Sequence, residues 1–227
     1  MSHDHIVRQF DRDLATLRAR ILLMAGMVEE HIASSMRALA EQDMATSKKL
    51  ADSDRPVNLL EMECDELCIK MIVLRQPVAS DVRFLVAALK IITDLERIGD
   101  LAVNIAKRAA VLAASPKLNP PIDLSGMAAN AEAMLKDSLD AFVRGDADSA
   151  EQILARDDLI DAAFRDVFAT LLARMKHDPG DIDRAIGLLF IAKHLERIAD
   201  HSTNIAEMVI YLVKGKDVRH KFSVAPP

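Results

Sequence analysis

The amino-acid sequence predicts an all-α protein made of two similar three-helix bundles that arose by internal duplication. The composition is that of helices, because hydrophobic residues make up 51% of the chain, aromatics only 4%, and there are 7 Gly and 8 Pro. β-Sandwiches and barrels need more β-branched and aromatic residues and frequent turns. The few helix breakers divide the chain into six helical stretches, and one phrase of the sequence occurs twice.

The helix breakers predict where each helix ends. A soft break near Gln42 ends the first helix, and Pro77 ends the second, after which Ser80 is expected to cap the third. Gly145 and Pro179 divide the second half in the same way. The predicted organisation is a first bundle, a proline-rich linker, a second bundle and a C-terminal tail, at residues 1–113, 114–122, 123–215 and 216–227.

The duplication is visible in "LERIGDLAVNIA", which begins at Leu95, and "LERIADHSTNIA", which begins 100 positions later at Leu195. Eight of the 12 aligned positions are identical. Further upstream, Asp54 corresponds to Asp157 at an offset of 103. A repeat of about a hundred residues is too long for a solenoid, so each copy should be a bundle of its own.

The apolar residues of the repeated phrase are spaced as in a helix that packs along one seam. In both copies the spacing is 4-3-4-3, which is typical of a coiled-coil-like contact inside a bundle. The seam residues are Ile91, Leu95, Ile98, Ala102 and Ile105, then Ile191, Leu195, Ile198, Ser202 and Ile205. The acidic residues of the phrase point away from this seam, so core packing does not explain their repetition.

These repeated polar residues are Glu96, Asp100 and Asn104, and then Glu196, Asp200 and Asn204. Like charges one helical turn apart repel by roughly 0.2–0.5 kcal/mol, and a bound cation would turn that repulsion into attraction. A second polar line, Asp54, Asn58, Glu61 and Asp65, lies on the preceding helix, and Asp157 and Asp161 begin its equivalent. Two interpretations remain open: cation sites between neighbouring helices, or an ordinary acidic surface.

The repeated phrases, the turn "RQPVASDVR" and the closing "YLVKGKDVRH" closely resemble the PhoU family, from Phe10 to about His220. The resemblance implies two three-helix bundles side by side, with E-x-x-x-D or D-x-x-x-D motifs that hold metal ions on the surface. One motif departs from the family pattern, because Asp54 is followed by Asn58 rather than by an acid. The predicted ligands are Asp54, Asn58, Glu96, Asp100, Asn104, Asp157, Asp161, Glu196, Asp200, His201 and Asn204. The metals would be divalent or trivalent ions such as Mg, Mn, Fe or Zn.

The resemblance also implies a role. The protein would be a negative regulator of the phosphate-starvation response that links the ATPase subunit of the phosphate-specific ABC transporter to the phosphate-sensing histidine kinase and restrains uptake. It would be a cytoplasmic homodimer, recruited to the inner face of the membrane by its partners, and it would not be an enzyme.

Composition excludes several other classes. A net charge of −6 without a basic tract argues against nucleic acid as a partner. The polar N-terminus has no signal-peptide core, and no apolar run approaches the roughly 18 residues of a membrane span. Cys64 and Cys68 could hold a metal or respond to oxidants, but their place on one helical face favours two core residues.

Two rival functions are compatible with a duplicated helical chain. A carboxylate-bridged di-iron enzyme would carry Glu-x-x-His on inward-facing helices, and no such phrase occurs in the chain. A helical scaffold without any metal role is the second rival, and its stability would not respond to added cations.

Overall fold

The computed structural model describes residues 3–75, 77–116, 118–119 and 121–218, and its regular elements are all helical. The helices are α1 (His3–Glu41), α2 (Met44–Ala51), α3 (Arg55–Arg75), α4 (Ala79–Leu112), α5 (Ser125–Arg144), α6 (Ala147–Leu154), α7 (Asp157–His177) and α8 (Ile182–Lys214), with a 3₁₀ turn at Pro179–Asp181 before the last. The predicted all-α class is therefore confirmed.

The sequence predicts six helical stretches, whereas the described residues form eight α-helices. The two additional helices are short, and each follows the first long helix of its half: α2 follows α1, and α6 follows α5. Gln42 and Gly145 occupy equivalent positions after α1 and α5, and both adopt the left-handed conformation, with φ of 55° and 62°. Such a residue ends a helix. Asp43 then caps α2 by accepting hydrogen bonds from the backbone N–H groups of Ala45 and Thr46, and Asp146 caps α6 in the same way.

Two further details of the first half differ from the prediction. The second stretch is interrupted at residues 52–54, and Pro56 lies in the first turn of α3, where its missing N–H costs no helical hydrogen bond. The N-cap of α4 is Val78, which makes no side-chain capping bond, so Ser80 is not the cap. Val78 has an extended backbone, with ψ of 168°, and the helix begins at the next residue, so Ser80 already lies inside its first turn.

The two halves pack around α4 and α8, which lie antiparallel to each other. Arg108 near the end of α4 lies 4.5 Å over the ring of Phe190 near the start of α8, whereas Arg83 near the start of α4 lies 6.0 Å over the ring of Tyr211. Helices α1 and α3 pack on α4, helices α5 and α7 pack on α8, and α1 also contacts α5. Each half thus contributes three long helices and one short one.

The hydrophobic core runs through both halves. All ten seam residues predicted from the repeat are buried, and the apolar ones belong to a single cluster that joins α1, α3 and α4 to α5, α7 and α8. A small separate cluster of Leu118, Leu171 and Ala185 lies where the linker meets the second half. The halves therefore share one core instead of enclosing two.

Candidate metal sites

The repeated acids lie off the seam, as predicted, but they are not on an open surface. Because the seam of α4 faces the core, Glu96 and Asp100 lie where α4 borders α3, and Glu196 and Asp200 lie where α8 borders α7. Glu196 is buried, and the other three residues are half-buried. Packing of the neighbouring helix therefore removes much of the water that would screen their repulsion.

In the second half, four carboxylates come together: Asp157 and Asp161 from α7 with Glu196 and Asp200 from α8. We call these four residues the second-half cluster. The pKa of Asp200 is raised to about 6, first by burial and then by the charges of Glu196, Asp157 and Asp161. The pKa of Asp157 is also raised, first by burial and then by Asp161, Asp158 and Glu196. The cluster holds more negative charge than its surroundings neutralise.

One cation of the protein already touches this cluster. Lys193 Nζ lies 2.5 Å from each carboxylate oxygen of Glu196, and it opposes the rise in the pKa of Asp200. In contrast, Asp157 Oδ1 is buried and has no hydrogen-bond partner. A buried carboxylate oxygen without a partner is costly, so its position favours a ligand that supplies positive charge.

In the first half, Glu96 and Asp100 are joined by Glu61 of α3, and we call these three residues the first-half cluster. Burial raises the pKa of Glu96, and the charges of Asp100 and Glu61 raise it further. The pKa of Glu61 is raised by burial, then by Asp65 and Asp100. Arg97 Nε lies 3.5 Å from Glu96, so an arginine stands beside this glutamate where Lys193 stands beside Glu196 in the other half.

The two predicted ligands at the start of α3, Asp54 and Asn58, have other neighbours. Asp54 directly precedes the helix, and its carbonyl oxygen accepts hydrogen bonds from the backbone N–H groups of Val57 and Asn58. Its charge acts on His31 of α1, whose pKa is lowered overall by burial. Asn58 is half-buried on the next turn. The acid that reaches Glu96 is Glu61, a member of the second polar line that was not among the predicted ligands.

Two predicted ligands, His201 and Asn204, face the other half of the protein. His201 Nδ1 lies 2.8 Å from Asp94 Oδ1 of α4, and the amide nitrogen of Asn204 donates to the same oxygen over 3.2 Å. Asn104 is half-buried on α4. Asp94 could not be found from the repeat, because its equivalent at an offset of 100 is His194.

The donor set suits a hard cation, which takes carboxylate oxygens as ligands. Within the described ranges, however, no three His, Cys, Asp or Glu side chains converge closely enough to form a finished metal site. Binding would therefore require the carboxylates to turn toward the ion and Lys193 to leave Glu196. The second-half cluster is the better suited of the two to bind a cation, because it contains Asp157 Oδ1, a buried oxygen without a hydrogen-bond partner.

A comparison with protein families decides the relationship. The model described as the PhoU domain matches this chain twice, over residues 21–109 and 124–209. The chain belongs to the PhoU family. The two matches coincide with the two halves of the duplication, so each half is one PhoU domain.

Individual PhoU proteins are similar over nearly the whole chain. The phosphate-specific transport system accessory protein PhoU homolog of Pseudomonas putida is 38% identical over 219 residues, which are 95% of this chain and 85% of the relative. The corresponding PhoU protein of Escherichia coli (strain K12) is 36% identical over 216 residues, covering 95% of this chain and 90% of the relative.

Solved PhoU structures share the architecture. The crystal structure of PhoU from Pseudomonas aeruginosa matches with a TM-score of 0.88 and 34% identity, over 91% of this chain and 100% of the other. The phosphate transport system regulatory protein PhoU from Streptococcus pneumoniae matches with a TM-score of 0.84 and 30% identity, over 92% and 99%. Within the described residues, none of the helices combines the length and apolar character that a membrane crossing needs.

Proposed function

We propose that this protein is a negative regulator of the phosphate-starvation response. It acts as a cytoplasmic adaptor between the ATPase subunit of the phosphate-specific ABC transporter and the phosphate-sensing histidine kinase, it restrains phosphate uptake, and its partners recruit it to the inner face of the membrane. Family membership supports this proposal, as do the names of its relatives, which call them accessory proteins of the phosphate-specific transport system.

The two acidic clusters are proposed to bind divalent or trivalent metal ions such as Mg, Mn, Fe or Zn. The observation that carries this proposal is the buried, unpartnered Oδ1 of Asp157 beside the raised pKa of Asp200. A scaffold under no further demand would gain stability by replacing such acids with apolar or amide residues. Retaining them in a half-buried helix border is consistent with a ligand that stabilises their charge.

Gene deletion tests the regulatory role. In phosphate-rich medium, the deletion strain should express phosphate-scavenging genes, such as that of a secreted phosphatase, at the level normally reached in starvation. The intact gene supplied on a plasmid should restore repression. Normal repression in the deletion strain would contradict the proposal.

A complementation series separates the metal from the rest of the function. Variant Glu196→Gln with Asp200→Asn keeps the shape of the second-half cluster and removes its charge. It should accumulate to normal levels and fail to restore full repression, whereas Asp166→Asn, an exposed acid of α7, should restore it. If both variants restore repression, the metal has no regulatory role and the adaptor needs another signal.

Pull-down from membrane preparations tests the adaptor role. The tagged protein should retain the transporter ATPase or the kinase and should be released by salt washing without detergent. Its absence from membranes that contain both partners, in high and in low phosphate, would contradict recruitment.

A further inference from the structure

The crossing of α4 and α8 has two ends that the duplication makes equivalent in position but not in charge. At one end, a groove of about 440 Å³ is lined by Leu89, Lys90, Thr93, Asp94, Asn204, Glu207 and Met208. At the offset of 100, the equivalent residues at the other end are Asn104, Lys107, Arg108, Leu189, Phe190, Lys193 and His194. We call the first set the acidic end, after Asp94 and Glu207, and the second set the cationic end.

The cationic end is free of acids in a protein that is acidic as a whole. The helix segments that form it, residues 101–112 of α4 and 184–195 of α8, contain no Asp or Glu, although the net charge of the chain is −6. Their basic residues are Lys107, Arg108, Arg184, Lys193 and His194. A local excess of positive charge attracts anions.

At the acidic end, the protein satisfies its own polar groups. Asp94 Oδ1 lies 2.8 Å from His201 Nδ1 and accepts a hydrogen bond from the amide nitrogen of Asn204 over 3.2 Å. The equivalents of these three residues at the cationic end are His194, Leu101 and Asn104. The cationic end therefore has the asparagine and a histidine, but no carboxylate to pair with them.

The basic side chains of the cationic end act on one another and lack acidic partners. Arg108 of α4 reaches α8, where its guanidinium carbon lies 4.5 Å from the centre of the Phe190 ring. His194 follows Phe190 by one helical turn, and Arg197 lies three residues further along. The pKa of His194 is lowered first by burial and then by the charges of Arg197 and Arg108. Both arginines are exposed, and neither forms an ion pair with any acid among the described residues.

The ring of His194 has unused hydrogen-bonding capacity. Its Nδ1 is buried and has no partner. The residue as a whole is half-buried, so Nε2 is the nitrogen that a ligand from solvent meets. Because nothing accepts a proton from Nδ1, a neutral ring carries its proton on Nε2, where it is a hydrogen-bond donor.

We propose that the cationic end binds inorganic phosphate through Arg108, Arg197 and His194, with the side-chain amide of Asn104 as a further donor. A guanidinium group presents a planar fork of N–H donors that fits phosphate oxygens. The tetrahedral arrangement of those oxygens allows one ion to accept from arginines on two different helices. Bound phosphate supplies the negative charge that Asp94 supplies at the acidic end.

Phosphate at this site would join the two halves of the protein. Arg108 belongs to α4 of the first half, whereas His194 and Arg197 belong to α8 of the second. The contact of Asp94 with His201 already joins the same two helices at the acidic end. Binding at the cationic end requires neither a metal ion nor the regulatory role proposed above, because it depends only on these side chains.

Equilibrium dialysis of the full, chelator-treated chain against radiolabelled phosphate tests the site. In about 0.15 M KCl, which screens weak surface attraction, one phosphate should bind per chain with a Kd on the order of 1 mM. Arg108→Gln and Arg197→Gln should each raise the Kd at least about fivefold, because each removes a charge-assisted contact.

Arg18→Gln is the matched control. Arg18 of α1 is exposed and lies 4.9 Å over the ring of Phe84, so it resembles Arg108 in its setting but lies near the other end of α4. This variant should keep the parental Kd. All three arginines are exposed, and an unchanged melting temperature of each variant would confirm that the fold is preserved.

Proton NMR of the histidine rings tests the contact with His194. Its resonances are assigned by their loss in His194→Gln. Phosphate should shift them and raise the pKa of this ring, because a nearby anion favours the charged form of histidine. The resonances of His201, which already pairs with Asp94, should shift little.

Four results would overturn the proposal. They are a parental Kd weaker than about 10 mM, arginine variants of the cationic end that bind as the parent does, an equal loss of binding in Arg18→Gln, or His194 resonances that stay in place at saturating phosphate. Dialysis and NMR measure binding alone, so normal repression in a deletion strain would contradict the regulatory role without affecting these results.

Discussion

At the residue scale, the half-buried acids make stability depend on pH in an unusual direction. Burial and neighbouring charges raise the pKa of Asp200 from its usual value of 3.8 to about 6. Between about pH 4 and 6, Asp200 of the folded protein therefore keeps a proton that the same residue of the unfolded chain has already released. The stability contributed by this residue is complete below about pH 4 and is lost as the pH rises through 6.

Asp200→Asn isolates this effect in metal-free protein. The amide cannot ionise, so the variant should be more stable than the parent at pH 7, on the order of 1 to 2 kcal/mol, with little difference near pH 4. Urea unfolding after chelator treatment, from pH 4 to 7.5, measures it. Asp166→Asn is the control, because this acid is exposed on α7. A variant less stable than the parent at pH 7 would show that the carboxylate is satisfied without a metal.

With metal added, the parent should become more stable than variants that lack the acids. A bound cation stabilises the folded state by RT ln(1 + [L]/Kd), which is about 2.7 kcal/mol at a hundredfold excess over Kd. Glu196→Ala with Asp200→Ala should lose the larger share of this gain, since the second-half cluster contains four carboxylates. Glu96→Ala with Asp100→Ala should lose a smaller share, and all four changes together should abolish it.

Thermal unfolding with and without Mn²⁺ provides the readout. The four substituted residues lie off the seam, so the three variants should fold and leave the melting temperature in chelator unchanged or slightly higher. If all of them keep the full rise with Mn²⁺, these acids are not ligands.

At the element scale, the crossing of α4 and α8 depends on a glycine. A Cβ on Gly187 would lie 2.9 Å from Leu112 Cδ2 of α4, whereas a Cβ on Gly26 in α1 would meet nothing within 4 Å. Both residues lie inside helices, where glycine costs roughly 0.5–1 kcal/mol relative to alanine. The same substitution should therefore have different effects in the two helices.

Gly26→Ala should stabilise the protein by about 0.5 to 1 kcal/mol. Gly187→Ala should be at least about 1 kcal/mol less stable than Gly26→Ala, because Leu112 must move within a packed border. Urea unfolding of the two variants against the parent measures both. Equal stabilisation would mean that Leu112 turns away freely and that the crossing tolerates a methyl group.

Also at the element scale, the same sequence position serves different purposes in the two copies. Glu61 of α3 faces the acids of α4, while the equivalent residue of α7 is Phe164, over whose ring Lys193 lies at 5.2 Å. Lys193 therefore contacts both the ring of Phe164 and the carboxylate of Glu196. Each half builds its acidic cluster from a different set of positions on the neighbouring helix.

At the scale of the whole molecule, one side-chain contact joins the acidic turns of the two halves. Asp94, two residues before Glu96, holds His201, which directly follows Asp200. The side chains of Asp94 and His201 are 15% and 18% exposed. Because the core is also continuous, we expect the halves to unfold in one transition.

Asp94→Ala should lower the free energy of unfolding by about 1 to 2 kcal/mol, since it leaves His201 and Asn204 without their shared acceptor. Thr93→Ala, an exposed neighbour on the same helix, is the control. Hydrogen exchange should show loss of protection in both α4 and α8, whereas protection lost in α8 alone would contradict coupling of the halves.

The sequence by itself determined the helical class, the duplication and the seam. Breakers and apolar spacing are local properties, and a helix keeps its 3.6-residue period wherever it packs, so Ile91 and Leu195 could be assigned to the core without a structure. Comparing the halves also pointed to Glu96 and Glu196, since they recur where core packing does not require them. The sequence did not predict the short helices α2 and α6 as separate elements, because only a short interruption separates each of them from the longer helix that follows, α3 or α7.

Only the tertiary structure decided which residues meet. Glu61 rather than Asp54 approaches Glu96, and His201 turns to Asp94 of the other half rather than to the acids beside it in sequence. The period of one helix gives the face on which a side chain lies, but not the helix that covers that face, nor how far along it the two helices meet. Those relations follow from the packing of α4 against α8, where side chains 100 and more positions apart must fit together in one core.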